Sequence, residues 1–343
     1  MLEFKKYSSI ENTYDQELME KIKSEGFDSL QYVVQEKVHG ANCCFVTDGQ
    51  VVQFAKRTSL VEAGELFYNY EELLERYKEK VIRLFQRIKE KYADTKTVLV
   101  YGEMFGGKYP HPDVKNDPKV MNIQKGVFYS PIHEFYGFDM YVAGSERGRY
   151  LSVDEANMFF EEGNFFYAKT LFRGTLNECL EYPNDFKSLI PGWLGLPDIE
   201  ENSCEGIIIR PIEPVFFRNG SRLLLKSKNS KFAEKKAVKK RQSLLYVEPT
   251  YSEALNEQLL ITEEYVTENR LNNVISKIGH VLMPQETGKL TGLFSKDMLE
   301  DYLKEHSTSY ALLEKSEQKI LNRHMNKQAI DLIKKVYTDV NQE

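Results

Sequence analysis

Long apolar runs and regularly spaced cysteines are both missing from this sequence of 343 residues. No segment approaches the roughly 20 consecutive apolar residues of a membrane helix, so we expect no membrane span. The first 14 residues lack the apolar stretch of a secretory signal. The 4 cysteines include no C-x-x-C pair, which excludes the usual spacing of a cysteine zinc site. These absences predict a cytoplasmic protein without a disulfide framework.

Basic residues are fewer than acidic ones, at 46 against 52, and the net charge is −6. This balance argues against a nonspecific nucleic-acid binder. The segment 226–241 is an exception, because it carries eight Lys or Arg residues and one acid, Glu234. Such local asymmetry indicates either a surface for a nucleic-acid backbone or a solvated linker.

The order of the predicted elements indicates two domains, at 1–243 and 244–343, in an α+β protein. Hydrophobic residues make up 41% of the chain, enough to bury a core. The first part alternates irregularly between β-like runs and helices, which favours antiparallel strands over a doubly wound parallel sheet. The second part is nearly all helical. Apolar periodicity predicts helices at 12–25, 64–92, 154–162, 175–181, 252–278, 295–305 and 312–338.

The usual nucleotide-binding signatures are not found: the sequence has no P-loop and no G-x-G-x-x-G. One segment, EKVHGAN at 36–42, lies where a predicted strand ends and a turn begins. A lysine at such a point can be held against a ligand, although a single loop lysine is more often simply solvated. The joint spacing K-x-H-G-x-N favours the functional interpretation of Lys37.

This spacing resembles motif I of the covalent nucleotidyltransferases, in the form used by RNA ligases of the RNA ligase 2 branch. That branch includes RNA-editing ligases. Four further family motifs follow in order: YGEMF at 101–105, FYGFD at 135–139, EGIIIRP at 205–211 and LKSK at 225–228. FKKYSSIEN, KNSKFAEKK and NRLNNVISKIG also resemble this branch. Ala41 and the segment HVLMPQETGK at 280–289 depart from the family pattern.

The resemblance implies a nucleotidyltransferase (ATP-grasp-like ligase) domain of antiparallel sheets with flanking helices, joined to a small all-α C-terminal domain that engages RNA. It also implies a three-step reaction with ATP and Mg²⁺ or Mn²⁺. Lys37 takes AMP from ATP, AMP passes to an RNA 5′-phosphate, and a 3′-hydroxyl then displaces AMP. Nicked duplex RNA is the expected substrate.

Catalytic and nucleotide-binding roles follow from the matched motif positions. Packing Lys37 among Arg57, Lys226 and Lys228 would disfavour its ammonium form and hold phosphate. The resemblance implies that Glu205 helps to hold the metal, that Glu103 contacts the ribose and that Phe138 stacks on adenine. The expected catalytic residues are Lys37, Glu205, Lys226 and Lys228. The expected nucleotide-binding residues are Glu36, His39, Asn42, Arg57, Glu103, Phe138, Lys226 and Lys228.

Simpler interpretations of these residues remain open. Lys226 and Lys228 could guard a solvated edge strand, the two glutamates could form structural ion pairs, and Phe138 could be a core aromatic. RNA contacts are expected at Asn42, Arg57, Lys231, Lys235, Arg270, Asn273 and Lys277. The last three could equally lie on an exposed helix face.

Alternative functions are a DNA ligase, a capping-type guanylyltransferase, and, from another class, a noncatalytic RNA-binding protein. DNA ligases and capping enzymes carry an OB-fold where this chain has helices, which favours RNA ligase. Intact Lys37 and Glu205 speak against a noncatalytic protein. We expect a monomer with no required protein partner, and the nearest resemblance suggests a phage or viral origin.

Overall fold

The computed structural model describes residues 2–145, 148–235, 251–279 and 281–340, with side chains described to residue 337. The chain divides into two compact units, Met1–Lys231 and Phe232–Glu343. The predicted domain boundary at 243 and 244 lies outside the described residues.

Two five-stranded sheets form the N-terminal unit. The first has the order β1-β10-β9-β2-β8 and the second β4-β3-β5-β6-β7. Neighbouring strands are antiparallel apart from the parallel pair β1–β10. This arrangement confirms the predicted α+β class. The strands are β1 (Glu11–Asn12), β2 (Tyr32–Glu36), β3 (Ala41–Thr47), β4 (Val52–Lys56), β5 (Thr97–Phe105), β6 (Glu134–Ala143), β7 (Arg149–Tyr150), β8 (Thr170–Gly174), β9 (Gly206–Pro211) and β10 (Leu225–Lys228).

The described part of this unit contains five α-helices. They are α1 (Gln16–Ser24), α2 (Tyr70–Lys91), α3 (Val153–Glu162), α4 (Leu176–Leu180) and α5 (Ile190–Trp193). The amphipathic α2 buries Leu73, Val81 and Ile88 in the same core as the second sheet, because these residues recur on one helical face. The first sheet buries Ile207 and Ile209 against α1 and α4.

Two predicted helix starts in the N-terminal unit are wrong, for local reasons. The helix expected from residue 12 begins after Asp15, whose carboxylate caps it by accepting from the Leu18 N–H at 3.1 Å. Residues 11 and 12 instead pair with β10. The helix expected from residue 64 begins at Tyr70, and Leu66 is 67% exposed rather than part of the buried stripe.

The C-terminal unit is helical, as predicted. Its helices are α6 (Glu253–Thr262), α7 (Glu268–Ile278), α8 (Thr287–Leu312) and α9 (Lys315–Val340). Leu271, Phe294, Tyr302 and Leu321 lie in their common core. The helix predicted at 252–278 is two helices, because the Thr267 hydroxyl caps a new start at α7. Within the described residues, no helix is long and apolar enough to cross a membrane.

Candidate active site

Lys37 lies directly after β2, which pairs with β9 and β8 inside the first sheet. Its backbone N–H donates to the Gly206 carbonyl at 2.9 Å, which joins it to the start of β9. Gly206 has a φ of 144°, and a Cβ there would meet the Ser227 carbonyl oxygen at 2.2 Å. Glycine therefore permits the close approach of β9 and β10. The order β10-β9-β2 brings the ends of these three strands together, and Lys228 of β10 contacts Glu205 there.

Glu205 is the centre of this group. Its carboxylate is 1% exposed, with Oε2 2.5 Å from Lys37 Nζ and Oε1 2.9 Å from Lys228 Nζ. Burial acts to raise the pKa of Glu205, but the Lys228 and Lys37 ammonium groups outweigh it and lower the pKa to about 2. The carboxylate is thus ionised at neutral pH. The sequence predicted cations around Lys37, and the structure adds this carboxylate as its direct partner.

Glu103 and Asn42 join the site from the second sheet, where they pair across β5 and β3. Burial and the nearby Glu205 raise the pKa of Glu103 to about 7, although Lys37, Arg57 and the Asn42 hydrogen bond act to lower it. Glu103 therefore titrates near neutral pH. The Arg57 guanidinium is close enough to Glu103 for its charge to act on the pKa of Glu103, so Arg57 belongs to the same site.

The turn between β2 and β3 carries His39. Its backbone N–H donates to the Tyr129 hydroxyl at 3.0 Å, and its Nδ1 lies 3.8 Å from Glu205 Oε2. A Cβ at the next residue, Gly40, would meet the Met104 carbonyl oxygen at 2.3 Å. The glycine of the K-x-H-G-x-N segment thus lets the turn cross β5 closely.

The Glu36 side chain, next to Lys37 in the sequence, is buried. Its carboxylate accepts from the Ser188 hydroxyl at 2.6 Å and from the Leu189 N–H at 2.9 Å. Its backbone carbonyl, the expected acceptor for adenine, accepts from the Tyr136 hydroxyl at 3.2 Å. A carbonyl oxygen can accept two hydrogen bonds, so the Tyr136 contact alone does not prevent a hydrogen bond from adenine.

We expect Glu36→Gln to stabilise the protein above neutral pH. Burial raises the pKa of Glu36 to about 7 despite its two hydrogen bonds. The folded state therefore binds a proton that the unfolded state releases near pH 4.5, and stability falls as pH rises between these values. The shift corresponds to a cost on the order of 3 kcal/mol at pH 8. The amide is neutral throughout, and the Ser188 hydroxyl can accept from it.

Urea unfolding at pH 5 and pH 8 measures this effect. The variant should gain over wild type at pH 8 and lose most of that gain at pH 5. Glu17→Gln, at an exposed position of α1, serves as the control. A gain that is equal at both pH values would contradict the assignment to Glu36.

Phe138 is the extra residue of a β-bulge in β6. Tyr101 pairs with Asp139 and Gly102 with Gly137, which leaves Phe138 between the two pairs. Its partly exposed ring packs on Tyr7, with centroids 5.0 Å apart. The sequence did not reveal the buried network beside it, in which Asp139 Oδ2 binds the Tyr7 hydroxyl at 2.8 Å, Arg210 at 3.0 Å and Arg222 at 2.5 Å.

Comparison with known proteins identifies the family. The RNA ligase family model matches residues 30–228, the range that holds all five motifs. The model for the T4 RNA ligase 2 C-terminal region matches residues 249–331. The chain belongs to the RNA ligase family. This membership confirms both the resemblance and the predicted enzyme class.

Two trypanosome relatives agree with this assignment. The mitochondrial RNA-editing ligase 1 of Trypanosoma brucei brucei is 30% identical over 337 residues, which cover 82% of this chain and 71% of the relative. The mitochondrial RNA-editing ligase 2 is 27% identical over 372 residues, 94% of this chain and 88% of the relative. A Naegleria gruberi RNA ligase solved with PPi has 16% identity and a TM-score of 0.45, over 67% of this chain and 57% of that chain. This chain thus spans little more than half of the Naegleria ligase.

Five of the predicted RNA-binding residues of this family member lie at or beyond the end of the N-terminal unit. In the C-terminal unit, Arg270 is 2% exposed and pairs with Asp297 and Asp301 at 2.9 and 2.7 Å. The other three there also contact carboxylates: Lys235 contacts Glu305, Asn273 contacts Glu234 and Lys277 contacts Asp297. Lys231 is the last residue of the N-terminal unit. RNA contact by all five stays a prediction, and residues 236–241 of the basic segment lie outside the described residues.

Proposed function

We propose that this RNA ligase is ATP-dependent and joins 3′-hydroxyl and 5′-phosphate RNA ends at nicks in duplex RNA. The observation that supports this proposal most is that Lys37 and Lys228 both contact the buried Glu205 carboxylate, at 2.5 and 2.9 Å. Transfer of AMP from ATP to a lysine needs a nucleophilic amine and a second cation. The trypanosome relatives are named RNA-editing ligases, which supports RNA as the substrate.

The first step would form a bond between Lys37 Nζ and the α-phosphorus of ATP. The bond from that phosphorus to the pyrophosphate oxygen breaks and pyrophosphate leaves. Lys37 releases its proton to solvent, because only the free amine has a lone pair to donate. Lys226, Lys228 and Arg57 would hold the charged phosphate oxygens. Phe138 would stack on adenine, and Glu103 would accept from a ribose hydroxyl.

The two RNA steps would use the same site. The 5′-phosphate of the RNA attacks the AMP phosphorus and releases Lys37. The 3′-hydroxyl then attacks the activated 5′-phosphorus, AMP leaves and the phosphodiester forms. Each step is an in-line displacement at phosphorus, so the same phosphate-binding cations stabilise all three transition states. His39, whose Nδ1 lies 3.8 Å from Glu205 Oε2, and Asn42, which hydrogen-bonds to Glu103, would contact the reacting groups.

Magnesium or manganese fits the donor chemistry of this site. Glu205 is ionised and offers carboxylate oxygens, the ligand type that Mg²⁺ prefers. In nucleotide sites Mg²⁺ is commonly held by one or two carboxylates together with substrate phosphates. Glu205 would hold the ion. When bound, the metal would neutralise charge on the phosphates and orient the leaving group. A Naegleria ligase mutant was solved with ATP and Mn.

A nick-sealing panel tests the proposal. Purified protein is incubated with Mg²⁺ and with ATP, GTP or NAD⁺. Each nucleotide is tested with three substrates: nicked duplex RNA, nicked duplex DNA and single-stranded RNA. We expect sealing with ATP on nicked RNA above the other combinations. Sealing of DNA nicks alone, or use of GTP without sealing, would instead support the DNA ligase or the guanylyltransferase. RNA binding without any nucleotide transfer would support the noncatalytic alternative.

Cellular location and assembly are proposals of the same kind. We propose a cytoplasmic monomer that needs no protein partner. The trypanosome relatives are named as mitochondrial proteins.

A further inference from the structure

Asn184 contacts two segments of the candidate active site, the residue before Glu205 and the end of β10. Its side-chain Nδ2 donates to the Lys228 carbonyl at 3.0 Å and to the Ser227 hydroxyl at 2.8 Å. Its own backbone carbonyl accepts from the Cys204 thiol at 3.5 Å. This half-buried residue therefore contacts both sides of the Lys228–Glu205 ion pair, through Lys228 itself and through the neighbour of Glu205.

The end of β10 extends beyond its neighbour β1. The last residue of β1, Asn12, pairs with Lys226, and the Lys226 carbonyl accepts from the Thr13 N–H at 3.1 Å. Carbonyls two residues apart on a strand point the same way, so the Lys228 carbonyl points to the side where β1 has ended. A backbone carbonyl that leaves water needs a donor. Asn184 supplies the N–H that a longer β1 would have supplied.

The next residue, Asp185, holds the residue that follows β10. Its carboxylate accepts from Asn229 Nδ2 at 2.7 Å, and the Asn229 N–H donates to the Glu205 carbonyl at 2.9 Å. Asn229 Nδ2 also lies 3.4 Å from the Cys204 carbonyl oxygen. The backbone around Glu205 and the backbone at the end of β10 are therefore joined to the same two-residue segment, Asn184 and Asp185.

The backbone of Lys228 decides where its ammonium group can reach. The lysine side chain is a flexible four-carbon stem, so the contact of its Nζ with Glu205 at 2.9 Å needs a backbone that is held in place. Charge that develops on phosphate is stabilised best by groups that are in position before the reaction. A contact that fixes the Lys228 backbone therefore bears directly on the proposed phosphate chemistry.

We propose that Asn184 is a positioning residue for the phosphate-binding Lys228, acting through its hydrogen bond to the Lys228 carbonyl. This inference rests on the proposed function, and it adds a residue that lies outside all five motifs. Lys228 is proposed to hold phosphate in all three steps. Asn184→Ala should therefore slow both lysyl-AMP formation and the sealing of a pre-adenylylated RNA nick by about five-fold, the usual cost of one hydrogen bond.

The affinity for AMP compared with that for adenosine tests the inference, because the two ligands differ only in the phosphate. Each protein is first treated with pyrophosphate and Mg²⁺ to remove AMP from Lys37, and binding is measured by calorimetry. We expect wild type to bind AMP about ten-fold more tightly than adenosine, or better, since charged hydrogen bonds hold the phosphate. Asn184→Ala should lose about five-fold in AMP affinity and bind adenosine as wild type does. Equal weakening of both ligands would indicate a loosened fold and would overturn the inference.

Two further variants control for packing. Asn184→Asp keeps the size of the side chain and can accept from the Ser227 hydroxyl, but its carboxylate has no N–H for the Lys228 carbonyl. It should lose at least as much AMP affinity as Asn184→Ala. Asn177→Ala, at an exposed position of α4, should bind AMP within about two-fold of wild type. Wild-type AMP affinity in Asn184→Asp would refute the role of the donated hydrogen bond.

The wild-type result separates this inference from the proposed function. If wild type binds AMP no more tightly than adenosine, its lysines do not hold phosphate, and the proposed function fails together with the inference. If wild type prefers AMP and both Asn184 variants keep that preference in full, the proposed function stands and the inference alone is refuted.

Discussion

Lys37→Ala should abolish attachment of AMP to the protein. The side chain supplies the only nitrogen that the proposed first step uses, so we expect the rate to fall by roughly 10⁴-fold or more. Intact mass after incubation with ATP and Mg²⁺ measures the result directly, as the gain or absence of one AMP. Sealing of nicked RNA should disappear with the adduct.

Two controls separate chemistry from folding. Lys37→Arg keeps a cation beside the buried Glu205 carboxylate but replaces the amine with a poor nucleophile, so it should fold like wild type and form no adduct. Lys108→Ala changes an exposed lysine shortly after β5 and should form the adduct normally. An AMP adduct on Lys37→Ala would place the nucleophile elsewhere and contradict the proposed mechanism.

Glu205→Gln should give the second-largest loss. The carboxylate contacts Lys37 and Lys228 at once, and a glutamine offers one acceptor oxygen while its NH₂ group faces an ammonium. We expect both lysyl-AMP formation and sealing to fall by about 10²–10³-fold, the range seen when a preorganised electrostatic group is removed. Single-turnover assays of the two steps measure the loss. Glu200→Gln, at an exposed position shortly before β9, should change neither lysyl-AMP formation nor sealing.

The same substitution should alter the pH dependence of stability. Because the pKa of Glu205 is lowered to about 2 in the folded state, its contribution is present above pH 4.5 and is lost as pH falls towards 2. The full contribution is on the order of 3 kcal/mol. Unfolding at pH 7 and pH 3 should therefore show a larger difference between wild type and variant at pH 7. An equal difference at both values would mean that the carboxylate is not held by the lysines.

Local sequence patterns predicted most of the elements and failed where a single side chain decides a boundary. The apolar repeat of α2 predicted a helix because one face is buried throughout. Asp15 and Thr267 act as helix caps, and the apolar pattern alone runs past both of them. The break between α6 and α7 was missed for this reason.

The motif residues of the site were predictable, but their supporting residues were not. Lys37, Glu205 and Lys228 meet because they flank or lie on adjacent strands. Tyr129 and Ser188 support the same segment from positions far along the chain, at residues that no motif marks. The sequence pattern around Arg270 indicated a cation on an exposed helix face. Arg270 is instead buried, because Asp297 and Asp301 of α8 pair with its charge.

The parallel pairing of β1 with β10 also sets the order in which a growing chain can complete this sheet. Residues 11 and 12 leave the ribosome early, whereas their partners at 225 and 226 are synthesised near the end of the N-terminal unit. A nascent chain that stops before β10 contains Lys37 and Glu205 but neither Lys226 nor Lys228. AMP capture should therefore begin only after β10 has been made, so unfinished chains would not consume ATP.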